Sequence, residues 1–119
     1  MLDNADRAKI EKIISDRKEA HRFYSESSDT YNAFLGMEHV TFAEGALKKL
    51  GKELIAVGIS VVINCESCME WHISEALRTG AAEEQVIEAI EVGIEMGGSP
   101  ATVSARFAMK VLEYYRDNK

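Results

Sequence analysis

Leu47, Leu50, Leu54, Val57 and Val61 follow one another at alternating spacings of three and four residues. That spacing marks one apolar face of a helix. The later part, 57–63, is apolar nearly all round, a pattern that a buried strand also produces. Two considerations decide for the helix. The face runs unbroken from Leu47, and no other segment offers period-2 alternation with which a strand could pair. Pro100 is the single proline, and no Asn-Gly or Asp-Gly hairpin signal occurs. The chain is therefore expected to be all-α, with about six helices.

The other segments read in the same terms. Residues 3–25 carry Ile10, Ile13, Ile14, Ala20 and Tyr24 as an apolar stripe on a strongly charged helix. A polar break over 25–29 precedes a second helix, roughly 30–43, with Tyr31, Phe34, Leu35 and Phe42 as core candidates and Gly45 as its stop. The third helix starts near Ala46. The fourth runs from about Glu66 to Thr79, with Gly80 at C′. The fifth opens on Glu83 and Glu84, which suit the positive end of a helix dipole, and runs to Gly97. Ser99 reads as an N-cap with Pro100 at the first helical position. The last helix passes through Val103, Phe107, Val111, Leu112 and Tyr115.

A length of 119 residues suits one domain, 1–119, with one core. A net charge of −6 without any Lys/Arg cluster argues against nucleic acid or an anionic membrane as partner. The longest apolar stretch, 54–63, falls far short of the roughly 20 residues of a spanning helix. Asp3, Asp6 and Arg7 interrupt any apolar run of a leader. A cytoplasmic location is expected, and there a lone cysteine pair reads as catalytic or metal-binding.

Cys65, Cys68 and His72 carry the chemistry. They hold both cysteines of the chain in a Cys-x-x-Cys-x-x-x-His run, and at this spacing all three can meet on one helix face. That face also carries Met69, Ile73, Ala76 and Leu77, so the trio points inward. Glu66, Glu70 and Arg78 are expected to face water. Both cysteines lie in the first turn of the fourth helix, where unpaired N–H groups and the dipole favour a thiolate. The dipole favours Cys65 as attacker. The base argument favours Cys68, four residues before His72, and is given precedence, leaving Cys65 to resolve. Attack on a hydroperoxide would give a sulfenic acid that condenses to a disulfide, reset by an external dithiol. Glu53 sits either at the surface end of the third helix or turned inward, where it could orient His72 and accept its proton.

Three other readings compete. The cysteines could be packed as small hydrophobes. They could bind zinc with His72 and a fourth ligand, Glu53 or His39, although the second ligand pair usual for structural zinc is missing. They could also report redox state in a non-catalytic oligomeric module. His21 and His39 have no ligand-like spacing and read as solvated. Trp71 reads as core or interface packing, the stretch 83–95 as a solvated acidic face, and Gly93, Gly97 and Gly98 as close-approach or helix-ending positions.

Lys52-Glu53-Leu54-Ile55-Ala56, Cys65-Glu66-Ser67-Cys68-Met69-Glu70-Trp71-His72, Ala76, Gly80, Ala81 and 96–100 together resemble the carboxymuconolactone decarboxylase superfamily, in its alkylhydroperoxidase D-like (AhpD-like) branch. The match covers roughly residues 40–115 and is sharpest over 53–80. The resemblance implies an AhpD-like helical bundle that assembles as a homo-oligomer, commonly a trimer or hexamer. It implies a thiol-dependent peroxidase or disulfide reductase acting on a hydroperoxide or small disulfide, with an external dithiol or thioredoxin-like reductant and no cofactor. Glu53 and His72 would form the proton relay, Cys68 the peroxidatic thiol and Cys65 its resolving partner. One position departs. The best-known peroxidases of the branch carry a second histidine where this chain has Ser67, which weakens the implied peroxidase activity more than disulfide reduction. The founding lactone decarboxylases lack the cysteine pair, so a lyase of that type is the alternative activity.

Overall fold

The computed structural model describes residues 2–118. Six helices account for nearly all of them: α1 (Asn4–Ser27), α2 (Asp29–Phe42), α3 (Lys49–Val62), α4 (Glu66–Arg78), α5 (Glu83–Gly97) and α6 (Ser99–Asp117). The described residues contain no strand, so the apolar run of α3 is helical as expected. No helix among them is long and apolar enough to cross a membrane.

Local chemistry sets most of the boundaries. Asp3 and Asp6 close a capping box at the start of α1, with bonds of 2.7 and 3.2 Å. The expected polar break narrows to one residue, Ser28, which ends α1 and caps α2 by accepting from the Tyr31 N–H at 3.0 Å. Lys52 reaches back from α3 to the Thr41 and Ala43 carbonyls at 2.9 and 2.6 Å, satisfying the end of α2. One expectation is corrected: Gly98, not Ser99, caps α6. The turn from α5 is a single residue at φ 72°, a conformation that glycine adopts without a Cβ penalty, so Ser99 and Pro100 already lie inside the helix.

The core joins Val57 and Val61 of α3, Met69, Ile73 and Ala76 of α4, Val86 and Ile90 of α5, and Ala101, Ala105, Ala108, Val111 and Leu112 of α6. Helices α3 and α5 approach most closely at Gly58 and Gly93. A Cβ added at Gly93 would lie 2.6 Å from the Gly58 carbonyl oxygen, so only glycine permits this contact. The core expected from the first two helices is smaller than the stripe suggests. Ile10 alone of α1 is fully buried, and α2 buries no residue. Tyr24 and Phe34 are exposed, as is Leu47, expected on the third helix but lying before α3 begins at Lys49. The physical reason is placement: α2 leans on α1 and on the edge of α3 rather than entering the α3–α6 bundle.

Glu70 is a second correction. It is 1% exposed, not solvated. Arg17 of α1 and the Tyr115 hydroxyl of α6 both bond its carboxylate, and Arg17 also donates to the Ser67 carbonyl at 3.3 Å. A buried carboxylate is tolerable only with such partners. Glu66 and Arg78 are the more exposed pair, as expected, with Glu66 held by Lys9 at 2.9 Å.

Two outcomes follow from this packing. Gly93→Ala should cost about 1–3 kcal/mol in urea unfolding through overpacking. Gly36→Ala, whose Cβ meets nothing within 4 Å on helix α2, should stabilise slightly. Burial, then the Glu70 hydrogen bond, raises the Tyr115 hydroxyl above its ordinary pKa of 10.0. Its native value exceeds its unfolded one, so this stability is intact below about pH 10 and is lost as pH climbs beyond that. Thermal melts over alkaline pH should fall less steeply for Tyr115→Phe than for the parent protein, although the variant starts lower at neutral pH.

Candidate functional site

The chain passes from α3 to α4 through one compact junction. Asn64 adopts φ 53°, and α3 closes with Cys65 N–H donating to the Ser60 carbonyl at 3.1 Å and Asn64 N–H to Val61 at 3.3 Å. This is the Schellman pattern, with asparagine in the left-handed position. Cys65 is thus the residue just past one helix and the N-cap of the next. Its Sγ accepts the Cys68 N–H at 3.2 Å. The two cysteines are joined in a disulfide, their Cα atoms 5.2 Å apart, and both are half-buried. With the sulfurs bonded to each other, this form offers a metal no thiolate.

His72 lies one turn beyond Cys68 on α4, and its Nδ1 is 2.7 Å from Glu53 Oε1. Glu53 is 2% exposed, so of its two possible placements the inward one holds. A carboxylate only accepts, so the shared proton lies on Nδ1 and Nε2 remains the basic nitrogen. The Phe42 ring stacks on the imidazole at 5.2 Å between centroids and 21° between planes. The structure therefore brings Glu53 to His72 and closes Cys65 onto Cys68 in the preceding turn of the same helix.

Three residues join this site that the motif did not single out as site residues. Lys49 Nζ lies 2.6 Å from Glu53 Oε2 and 3.6 Å from Glu75 Oε1. Burial alone would lower the Lys49 pKa, but Glu53 and then Glu75 outweigh it and raise the ammonium above its ordinary value. Glu75 is itself buried and paired with Arg78. Phe42, expected in the core, instead covers His72. Lys49 had a local signal, standing four residues before Glu53 on one helix. Glu75, three residues after His72, had a weaker one. Phe42 had none, because its approach depends on the path of α2.

A cavity of about 380 Å³ opens beside Glu53, between α2 and the α3–α4 pair. Leu35, Phe42 and Trp71 supply apolar wall, Glu38, Lys49 and Glu75 supply charge, and His39 adds a polar ring. Trp71 thus lines the cavity while the Arg17 guanidinium sits 5.2 Å over its ring. His39 is exposed at the cavity rim; His21 is exposed elsewhere and bonds Tyr31 Oη at 2.9 Å. Among the described residues no group of three or more His, Cys, Asp or Glu side chains is arranged to hold a metal ion.

The sequence profile of the Carboxymuconolactone decarboxylase family matches residues 28–111. Uncharacterized protein 4 in the cox locus of Paracoccus denitrificans is 45% identical over 82 residues, 69% of this chain and 74% of that protein. The uncharacterized protein H16_B0147 of Cupriavidus necator is 40% identical over 84 residues, 71% and 72% of the two chains. Among solved structures, a carboxymuconolactone decarboxylase family protein from Thermotoga maritima superimposes with a TM-score of 0.82 at 26% identity. The match covers 89% of this chain and 91% of that one, and involvement in an antioxidative response has been suggested for that protein. The apo form of a family protein from Legionella pneumophila gives 0.77 at 27% identity, covering 92% and 96%.

Proposed function

The chain belongs to the carboxymuconolactone decarboxylase family, and on that premise we propose that it is a thiol oxidoreductase, a thiol-dependent peroxidase or disulfide reductase of the AhpD-like type. The observation that carries this reading is the closed Cys65–Cys68 pair at the start of α4, one turn before a histidine hydrogen-bonded to a buried carboxylate. The antioxidative involvement suggested for the Thermotoga protein agrees with it.

An external dithiol reduces the disulfide by exchange and leaves as its own disulfide. His72, oriented by Glu53, takes the Cys68 thiol proton. The thiolate attacks the terminal oxygen of a hydroperoxide, the O–O bond breaks, and the proton goes to the departing alkoxide, giving an alcohol and a Cys68 sulfenic acid. Cys65 Sγ then attacks Cys68 Sγ, water leaves, and the disulfide closes. With a small disulfide as substrate, the same thiolate attacks sulfur instead and Cys65 resolves the mixed disulfide. Ser67, where a second histidine assists the relay in the best-known peroxidases of the branch, favours the disulfide substrate. The lyase alternative finds less support, because the founding lactone decarboxylases lack the cysteine pair that closes here.

Self-association belongs to the same proposal. Ile55, Ile59 and Val62 of α3 are exposed beside Val92 and Met96 of α5, an apolar patch of the kind that marks interaction surfaces. Light scattering should find an oligomer for the parent protein and a smaller species for Ile59→Glu.

With dithiothreitol as donor, the protein should turn over an organic hydroperoxide or a small disulfide. Cys68→Ser should abolish turnover. Pre-reduced Cys65→Ser, freed of dithiothreitol, should consume one equivalent of hydroperoxide and leave a sulfenic acid that dimedone traps. His72→Ala and Glu53→Gln should slow turnover by about 10²–10⁴-fold. No turnover of either substrate class by the fully reduced protein would reject the reading.

A further inference from the structure

We propose that Lys49 is a positioning residue for the relay, holding the buried Glu53–His72 pair short of a proton at neutral pH so that His72 can act as a base. The proposal rests on the thiol-redox reading for its purpose and on geometry for its content.

Glu53 uses its two oxygens in two directions, Oε1 toward His72 Nδ1 at 2.7 Å and Oε2 toward Lys49 Nζ at 2.6 Å. With Nε2 also protonated the pair is neutral; once Nε2 is free, and Nδ1–H still bonds Glu53, the pair carries one negative charge in a site where Glu53 has almost no contact with water. Burial makes that charged, base-competent form costly, and a cation in contact offsets the cost. Lys49 is the cation that contacts the carboxylate. The other charges around the pair do not replace it. On α4, Glu75 faces Lys49 at 3.6 Å and is itself paired with Arg78. From α2, Glu38 and His39 stand along the same cavity, while Phe42 covers the imidazole without charge. The Lys49 side chain is one-third exposed and turned across the Phe42 ring at 5.9 Å, so it lies along the cavity wall rather than out in solvent. An ordinary exposed ion pair would have little influence on chemistry; this one ends on the residue that orients the base.

The decisive experiment is an imidazole titration of His72 by NMR on the disulfide form, in which neither cysteine titrates. His21→Gln and His39→Gln assign the signals. The pair titrates as a unit, so the quantity read is the pH at which it gives up the Nε2 proton while Nδ1–H stays on Glu53. Lys49→Met should move that midpoint upward by about one unit, and Lys49→Arg should leave it near the parent value. In the reduced protein, the acid limb of Cys68 alkylation should move in the same direction for Lys49→Met. If Lys49→Met is too unstable to titrate, Lys49→Gln carries the same expectation. An unmoved midpoint in the neutral variant overturns the proposal, as does a Lys49→Arg midpoint displaced as far as that of Lys49→Met. The titration needs no turnover. A protein without peroxide or disulfide activity would reject the redox reading while leaving the Lys49 result standing, and the converse holds equally.

Discussion

A carboxylate taken out of water must find partners, and Glu53 organises this molecule because its partners come from two helices. Lys49 meets it from the preceding turn of α3, and His72 meets it from α4. The His72 contact ties α3 to α4, while Lys49 supports the same carboxylate from within α3. The same carboxylate draws Lys49 toward Glu75, and Phe42 over His72 brings α2 against the site. A single buried charge therefore links three helices and the cavity between them.

The junction between α3 and α4 performs a second task with very few residues. Asn64 ends one helix in the left-handed conformation, and Cys65 both completes that ending and opens the next helix. A cysteine placed there is fixed by backbone hydrogen bonds on both sides, so its sulfur is aimed before any tertiary contact is made. Cys68 follows within the first turn, close enough for the disulfide to close without disturbing α4. Helix α1 braces this turn from outside, through Lys9 on Glu66 and Arg17 on the Ser67 carbonyl and Glu70. The charged character of α1 thus has a structural use, since its cations reach the loop and helix start that carry the cysteines.

Helix α2 shows the limit of apolar pattern as a guide to burial. Its tyrosine, phenylalanines and leucine suggested a core face, yet none of its residues is buried. Leu35 and Phe42 line the cavity beside Glu53, while Phe34 and Met37 are exposed. An apolar side chain is drawn out of water by any nonpolar surface, and periodicity cannot say whether that surface is the core, a binding cavity or another molecule.

What the sequence determined by itself was everything that depends on neighbours a few residues apart. The six helices follow from 3.6-residue periodicity, and an end such as the one at Gly80 from local turn chemistry. The Cys65–Cys68 pair was legible because a spacing of three brings two side chains together at a helix start. Tertiary structure decided the charges. Nothing near Glu53 in the sequence says whether it faces water or His72, and Glu70 looked solvated because the arginine that pairs with it lies 53 positions away. Ser99 failed as a cap because the chain turns from α5 to α6 through one residue in the left-handed region, a conformation that Gly98 adopts without a Cβ penalty. Whether a charge can be buried depends on which opposite charges the folded chain brings to it, and that is a property of the assembled helices rather than of any one of them.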